Sequence, residues 1–217
     1  PARGLPPVSL RVSGAQASGV PADATNLAWR AAVGFLETAG RRDLAVAIEL
    51  EKGIPAQAGL GGGSSDAAAV LRGLSALLPD AVPAGSLSAL ALGLGADVPF
   101  FLAPRPALVR GIGERVEPVE GLPTLDLLLV HPGVGLSTAE VYGAYDALEG
   151  ALTPPEAGPT VRPPEGLLEP EALAGLLEND LEPAARRLCP PLARLRQQIA
   201  EAGAVGVGMS GSGPTLF

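Results

Sequence analysis

A glycine-rich segment between a predicted strand and a predicted helix limits what this chain can fold into more than any other feature. It runs from Pro55 to Asp66 and has four glycines between positions 59 and 63. Glycine accepts positive φ angles and lets the backbone approach a ligand closely. The unpaired N–H groups and the positive dipole end of the following helix favour an anion. The segment therefore predicts a loop that binds a phosphate chain.

Two serines follow the glycines and extend the same prediction. The hydroxyl groups of Ser64 and Ser65 are suited to bind phosphate oxygens or a Mg²⁺ ion. The alternative is an exposed, flexible turn with ordinary helix caps, but the direct succession of strand, glycines and helix favours the phosphate loop. A Walker loop is excluded because the only lysine, Lys52, precedes the glycines. The segment 206–211 matches a dinucleotide loop, but no helix follows it, so we regard that match as accidental.

Composition and charge exclude several classes of protein. With 217 residues, 47% of them hydrophobic, the chain can bury a core in one or two domains. The net charge of −8 argues against a nucleic-acid partner or an anionic membrane. A single cysteine, Cys189, excludes an intramolecular disulfide and favours the cytoplasm. No apolar run is long enough to predict a membrane-spanning helix.

Hydrophobic periodicity predicts an α+β protein. A first helix is predicted to begin after an N-cap at Thr25 or Asn26 and to end near Thr38. Further helices are predicted at 66–78, 171–178 and 183–202, and strands at 8–12, 45–50 and 125–130. The end of the chain, 204–217, predicts a glycine-rich strand, turn and strand. Six prolines at 151–170 indicate a linker or a long surface loop.

Two residues outside the loop are candidates for chemistry. Asp97 lies in a turn of small residues before the most aromatic stretch of the chain. It is either an N-cap or turn residue, which its context alone favours, or a poised base. His131 has no second histidine or cysteine near it, which favours a structural imidazole over a metal ligand.

Taken in order, the motifs resemble those of the GHMP kinases, which include galactose, homoserine, mevalonate and phosphomevalonate kinases. The segment 55–68 is similar to the ATP loop of that family. Its extra glycine and paired serines resemble the branch that phosphorylates 4-diphosphocytidyl-2-C-methyl-D-erythritol. Six further segments follow the order of that branch, from about residue 24 to the end: 26–32, 95–101, 111–114, 137–142, 179–181 and 209–217.

The resemblance implies an ATP-dependent kinase acting on the 2-hydroxyl group of that substrate. Asp97 matches the catalytic aspartate, which accepts the hydroxyl proton, and Thr138 and Tyr142 match positions near the cytidine. The third glycine motif of the family, which borders its active site, is matched by Gly211, Ser212 and Gly213. Ser64 or Ser65 would contact Mg²⁺ through ATP. The positions that match ATP-binding residues are Asn26, Leu27, Lys52, Pro55, Ala56, Gln57, Ala58, Gly59, Leu60, Gly61, Gly62, Gly63, Ser64 and Ser65.

The resemblance also implies two domains. Residues 1–115 would form an ATP-binding domain of the ribosomal-protein-S5-domain-2 type, and residues 116–217 a ferredoxin-like domain. The family begins with a segment whose lysine partners the aspartate, followed by one that helps to hold the cytidine, and neither is present here. It also continues past Phe217. We therefore expect this chain alone to be inactive, and the whole protein to be a cytoplasmic monomer or homodimer.

Two alternatives remain open at this point. One is another GHMP kinase, acting on homoserine, mevalonate or a sugar. The other is a non-catalytic ATP-binding fragment that only senses ATP, which would bind the nucleotide and release no ADP. A scaffold protein with glycine turns would bind no ATP at all.

Overall fold

The structure is a computed structural model that describes residues 7–148 and 169–217. The chain divides into two compact units. Unit one comprises Pro1–Ala56 and Gly61–Val119, and unit two comprises Gln57–Leu60 and Glu120–Phe217. The four residues 57–60 of the glycine loop thus group with unit two. The predicted linker at 151–170 lies outside the described residues except for its last two positions.

Unit one combines a parallel strand pair, a group of helices and an antiparallel hairpin. Its elements are β1 (Val8–Ser13), α1 (Leu27–Thr38), β2 (Val46–Glu51), α2 (Gly62–Leu77), α3 (Ala84–Leu94), α4 (Val98–Leu102), β3 (Ala107–Arg110) and β4 (Arg115–Pro118). Strands β1 and β2 run parallel, from Val8 opposite Val46 to Ser13 opposite Glu51, so α1 lies in the crossover between them. Strands β3 and β4 form the hairpin.

The core of unit one lies mainly between α1 and α2, because each helix has an apolar face of small residues. Alanines at positions 31 and 32 of α1 and 67 and 68 of α2 are fully buried, which lets the two helices approach closely. Phe35 and Leu71 fill the same cluster, to which α3 and α4 add Ala91 and Val98. Helix α2 is therefore held along its length, and its first turn occupies a fixed place in the unit.

In its described part, unit two has short helices joined by irregular backbone. They are α5 (Thr138–Asp146), α6 (Pro170–Ala174), α7 (Glu182–Leu188) and α8 (Pro191–Glu201). Val141 of α5, Ala185 of α7 and Leu192 of α8 pack with Met209 and Leu216 near the end of the chain. This second cluster gives the unit a core of its own.

The first predicted elements are confirmed. The predicted strands at 8–12 and 45–50 correspond to β1 and β2 within one residue at each end. Asn26, rather than Thr25, is the N-cap of α1: its side chain accepts a 2.9 Å hydrogen bond from the N–H of Ala28 and donates to the carbonyl of Pro21. The helix ends at Thr38, as predicted.

The prediction of a buried strand at 125–130 is wrong. Leu127, Leu128 and Leu129 are more than half exposed. Within the described chain, the segment pairs only at Val130, which exchanges both backbone hydrogen bonds with Leu216. A strand needs a continuous hydrogen-bonding neighbour, and apolar character alone does not supply one.

The predicted helix boundaries also need correction. Helix α2 begins at Gly62 rather than at Asp66, because Gly61 in the left-handed region turns the chain directly into the helix. The predicted helix at 183–202 is two helices, since Pro190 and Pro191 lack the N–H groups that a continuous helix needs. The helix expected at 171–178 is shorter and ends at Ala174.

The glycine-rich end forms a turn between two paired segments, although the pairing is too short to make strands. Gly208 and Phe217 exchange both backbone hydrogen bonds, and the N–H of Ser210 donates to Thr215. None of the helices in residues 7–148 and 169–217 has the length and apolarity to cross a bilayer.

Candidate active site

The first turn of α2 is the part of the glycine loop that lies in unit one. Gly61 precedes it with φ of 65°, and a Cβ there would lie 2.7 Å from the ring of Phe101. The N–H of Ser65 makes a helical hydrogen bond with the carbonyl of Gly61. The N–H groups of the turn before Ser65 have no helical acceptor, as at any helix start. Together with the helix dipole they form a site suited to an anion.

A buried ion pair anchors this turn. The ammonium of Lys52, the residue after β2, lies 2.6 Å from a carboxylate oxygen of Asp66, and the Lys52 side chain is only 5% exposed. A Cβ at Gly62 would lie 3.3 Å from the Lys52 Nζ atom, so a side chain at position 62 would crowd the pair. The predicted ATP-binding residue Lys52 thus contacts the helix that carries the loop, and its charge is paired with Asp66.

The two serines differ in their surroundings. Ser65 donates a 2.8 Å hydrogen bond from its hydroxyl to the carbonyl of Gly62, which occupies the donor within the turn itself. Ser64 is part-exposed in the same turn. Gly63, just before it, is exposed, and a Cβ there would meet only Leu27, at an ordinary 3.6 Å. The protein therefore has room for a side chain at position 63.

The preceding part of the loop, residues 57–60, lies in unit two and is held by separate hydrogen bonds. The carbonyl of Gln57 accepts from the N–H of Leu136 at 3.0 Å, and that of Ala58 accepts from Thr215 at 3.4 Å. The carbonyl of Gly59 accepts from the Ser210 hydroxyl at 2.8 Å. Gly59 has φ of 74°, and a Cβ there would overlap the carbonyl of Ser210. Only glycine fits this contact.

The turn at 209–213 therefore packs directly on residues 57–60 of the glycine loop. Gly211 and Gly213 both have positive φ, and a Cβ at Gly211 would lie 3.1 Å from the carbonyl of Gly59. The peptide bond between Gly213 and Pro214 is cis. Asn179 holds the turn in place, because its side chain amide donates to the carbonyl groups of Met209 and Gly211.

Thr138 and Tyr142, the positions matched to the cytidine, lie one turn apart on α5 and so on one face of the helix. The hydroxyl of Thr138 is 3.0 Å from that of Ser212, a buried residue of the turn. Tyr142 is 53% exposed, which leaves its ring available to a ligand. Within unit two, the structure places Thr138 beside the turn that carries Gly211, Ser212 and Gly213, and Tyr142 lies one helical turn further along α5.

Asp97 lies in unit one, as does the first turn of α2. It precedes α4, is exposed, and makes no capping hydrogen bond to that helix. The turn at 111–114 packs behind it, since a Cβ at Gly113 would overlap the carbonyl of the preceding residue, Ala96. Glu114 closes that turn, and hydrogen bonds from its own N–H and that of Ile112 lower its pKa. The Asp97 carboxylate is thus accessible at the end of a firmly packed segment.

Several residues that shape the site carry no clear functional signal in the sequence. Asp66 was predicted only as the beginning of a helix, yet it pairs with Lys52. In the sequence Phe101 is only part of an aromatic stretch, yet in the structure its ring sets the glycine requirement at position 61. Ser210 belongs to a matched segment but was not among the predicted site residues. Their roles depend on contacts between positions far apart in sequence.

Comparison with known proteins identifies the class. The sequence profile for the GHMP kinases N terminal domain matches residues 26–104, and the profile for the GHMP kinases C terminal matches residues 166–217. The chain belongs to the GHMP kinase family. The structure of homoserine kinase from Cytophaga hutchinsonii, 23% identical, superposes with a TM-score of 0.65 over 96% of this chain and 71% of that chain, and shows the shared fold alone.

Within that family, this chain is similar to 4-diphosphocytidyl-2-C-methyl-D-erythritol kinases. It is 41% identical over 199 residues to that kinase of Geobacter sp. (strain M21), covering 92% of this chain and 68% of the relative. It is 44% identical over 214 residues to that of Mycolicibacterium smegmatis, covering 96% and 66%. A crystal structure of 4-(cytidine 5'-diphospho)-2C-methyl-D-erythritol kinase superposes with a TM-score of 0.67 and 41% identity, over 98% of this chain and 74% of that chain. The chain thus spans about two thirds of the length of these curated relatives.

Proposed function

We propose that this chain belongs to an ATP-dependent kinase. That kinase phosphorylates the 2-hydroxyl group of 4-diphosphocytidyl-2-C-methyl-D-erythritol, a step in isoprenoid precursor synthesis. The observation that carries the proposal is the match of more than nine tenths of the chain to kinases of that name at 41–44% identity. The geometry agrees with it, because a glycine loop leads into a helix start and an accessible carboxylate lies in the same unit.

The triphosphate of ATP is assigned to the loop at 55–65. The free N–H groups of the first turn of α2 would bind phosphate oxygens, and the exposed surface of Gly63 would let the chain of phosphates lie close to the backbone. Phosphoryl transfer depends mainly on positioning and on electrostatic stabilisation of developing charge. The helix start supplies both without any rearrangement at the moment of reaction.

The adenine pocket is assigned to Asn26, Leu27 and Lys52. Leu27 begins α1 and lies 3.6 Å from the position of a Cβ on Gly63, so it borders the loop within unit one. The side chain of Asn26 is engaged in capping, and the ammonium of Lys52 is engaged by Asp66. Contacts of these two residues with a nucleotide would therefore come from their remaining surfaces, and these two assignments stay predictions.

Mg²⁺ would be held through ATP and Ser64. The serine hydroxyl is a hard oxygen ligand, and Ser64 is part-exposed in the anion-binding turn, whereas Ser65 donates to Gly62. Within residues 7–148 and 169–217, no group of three or more acidic, histidine or cysteine side chains offers a separate metal site. A bound ion supplies neutralisation of charge on the transferring phosphoryl group.

Asp97 is assigned as the general base. Its carboxylate would accept the proton of the substrate 2-hydroxyl while that oxygen bonds to the γ-phosphorus, and the bond from this phosphorus to the β,γ-bridging oxygen breaks to release ADP. Because the side chain is exposed and makes no capping hydrogen bond, it is available for this contact.

The diphosphocytidyl part of the substrate is assigned to unit two. Tyr142 would stack on the base, and the hydroxyl pair of Thr138 and Ser212 would contact polar groups of the ligand. Gly211 and Gly213 allow the backbone of the turn to approach the ligand closely.

The finer structural expectations are part of the same proposal. We assign an S5-domain-2-like ATP-binding domain to residues 1–115 and a ferredoxin-like domain to residues 116–217. The cytoplasmic location and the monomeric or homodimeric state also remain predictions.

ADP release tests the function directly. The full natural chain is incubated with Mg-ATP alone and with each of 4-diphosphocytidyl-2-C-methyl-D-erythritol, galactose, homoserine and mevalonate. We expect release only with the diphosphocytidyl substrate. Stimulation by another alcohol instead would overturn the substrate, and ATP binding without any release would favour the sensor alternative.

A further inference from the structure

Asn179 lies outside the residues assigned above, yet its side chain is fully engaged beneath them. Its Nδ2 atom donates to the carbonyl groups of Met209 and Gly211, each at 2.8 Å. Its Oδ1 atom accepts from the N–H of Leu181 at 2.9 Å. An asparagine amide carries two donor hydrogens and one carbonyl acceptor, so both donors and the acceptor are satisfied by backbone.

The turn that Asn179 holds contacts loop residue Gly59, in the same unit. The hydroxyl of Ser210 donates to the carbonyl of Gly59, and Gly211 packs against the same carbonyl. Because a Cβ at Gly59 would overlap the backbone of Ser210, the two segments lie against each other without an intervening side chain. A displacement of the turn would therefore displace the loop.

The same turn also contacts the substrate residues. Ser212 is buried and lies within hydrogen-bond distance of the Thr138 hydroxyl on α5. The side chain of Ser210 thus contacts the loop, and that of Ser212, two residues later, contacts α5. One short turn, held by the Asn179 side chain, therefore links the loop residues to the substrate residues.

We propose that Asn179 is a positioning residue that fixes the turn at 209–213 and so sets the geometry of loop residues 57–60 and of the alcohol-substrate residues together. This inference rests on the proposed function for the roles of Gly59 and Thr138. Its structural basis is independent of that function, because it consists of hydrogen bonds within unit two.

Aspartate is the sharpest substitution. Asn179→Asp keeps the shape of the side chain and the bond to Leu181, but it replaces a donor of two hydrogen bonds with a carboxylate facing two carbonyl oxygens. Removing the donor of a partly buried hydrogen bond leaves the acceptor carbonyl unsatisfied. The resulting loss of stability is larger than the net contribution of the hydrogen bond itself. Asn179→Ala, which removes the donors without adding charge, serves as the second variant if the first folds poorly.

Steady-state kinetics of the full natural chain provide the first test. We expect Asn179→Asp to raise KM for ATP and KM for the alcohol substrate, each by about tenfold, with a smaller change in kcat. Ser210→Ala should raise only KM for ATP, and Ser212→Ala only KM for the alcohol. Glu178→Gln, a conservative change of the exposed neighbouring residue, is the control and should change neither. Folded Asn179 variants with both KM values within about twofold of the wild type would overturn the proposal.

Hydrogen exchange gives a second test that needs no activity. Asn179→Asp should speed exchange at the amides of Ser210, which donates to the carbonyl of Thr215, and of Thr215, which donates to the carbonyl of Ala58. Exchange in α2, in the other unit, should not change. Unchanged exchange at both amides would contradict the positioning role. Inactivity of the wild type towards every alcohol would instead count against the proposed function alone, so the two failures are distinguishable.

Discussion

The two parts of the glycine loop are held in different ways. In unit one, residues 61–65 are the N-cap and first turn of α2, and buried alanines and leucines hold that helix against the core. In unit two, residues 57–60 are held by three individual hydrogen bonds, from Leu136, Thr215 and Ser210. The first part depends on periodic burial that many residues share. The second depends on single contacts, so a single substitution there should have a local and specific effect.

If unit one supplies the chemical step, the largest effect should come from Asp97→Asn. We expect kcat to fall by about 10²–10⁴, the range for loss of a general base, with KM for ATP little changed. This contrasts with the KM effects expected in unit two. Turnover of the variant near the wild-type rate, measured by ADP release, would remove Asp97 from the mechanism.

Substitution of the Lys52–Asp66 ion pair tests whether the stability of unit one depends on the anchoring of the first turn of α2. Lys52→Met should lower the free energy of unfolding by about 3 kcal/mol, because it leaves the Asp66 carboxylate without its partner in a mostly buried place. Denaturant titration measures the change. Adding Asp66→Asn to Lys52→Met should recover part of the loss. A double variant no more stable than the single one would show that Asp66 is well solvated.

Gly59 tests the single-contact character of the unit two part. Gly59→Ala would place a Cβ against the Ser210 carbonyl in a left-handed backbone, and we expect it to lower stability by about 2 kcal/mol and to weaken ATP binding. Gly53→Ala is the matched control, because a Cβ there meets nothing within 4 Å and its φ lies outside the left-handed region. Thermal unfolding and ATP titration of both variants would decide the matter. Equal stability and equal ATP affinity of the two variants would mean that the loop backbone adjusts to the added methyl group.

The smallest effect on stability is expected at Gly63, where a substitution should change stability and ATP binding in opposite directions. Gly63→Ala lies in a helical turn with room for the methyl group, so it should raise the free energy of unfolding by about 0.5–1 kcal/mol. The same methyl group should weaken ATP binding if phosphates lie against this backbone. Isothermal titration with ATP checks it. Undiminished affinity in the stabilised variant would place the phosphates elsewhere.

The sequence predicts the periodic parts of the molecule better than the irregular ones. Helix α1 with its cap at Asn26, and strands β1 and β2, follow from apolar spacing and local capping chemistry. The hairpin of β3 and β4, and helices α3 and α5, were not predicted from periodicity. The run at 125–130 was misassigned because its leucines indicate burial, while burial in a strand depends on neighbours that no local pattern encodes.

The site shows the same division. Its glycines were found from the sequence, since a cluster between a strand and a helix indicates a close backbone approach. The reasons for individual glycines come only from the structure: Phe101 at position 61, Ser210 at position 59 and Ala96 at position 113. Asn179 belonged to a matched segment, but its support of a turn thirty residues later could not be inferred from spacing alone.

The exposed leucines at 125–129 have a practical consequence for handling the chain. Unpaired extended segments rich in apolar residues act as templates for intermolecular β-pairing. From Leu122 to Val130, the only acidic or basic residue is Asp126, so a single carboxylate opposes such pairing. At high concentration the chain should self-associate through this segment, and charged substitutions at Leu127 and Leu129 should keep it dispersed without touching the kinase residues.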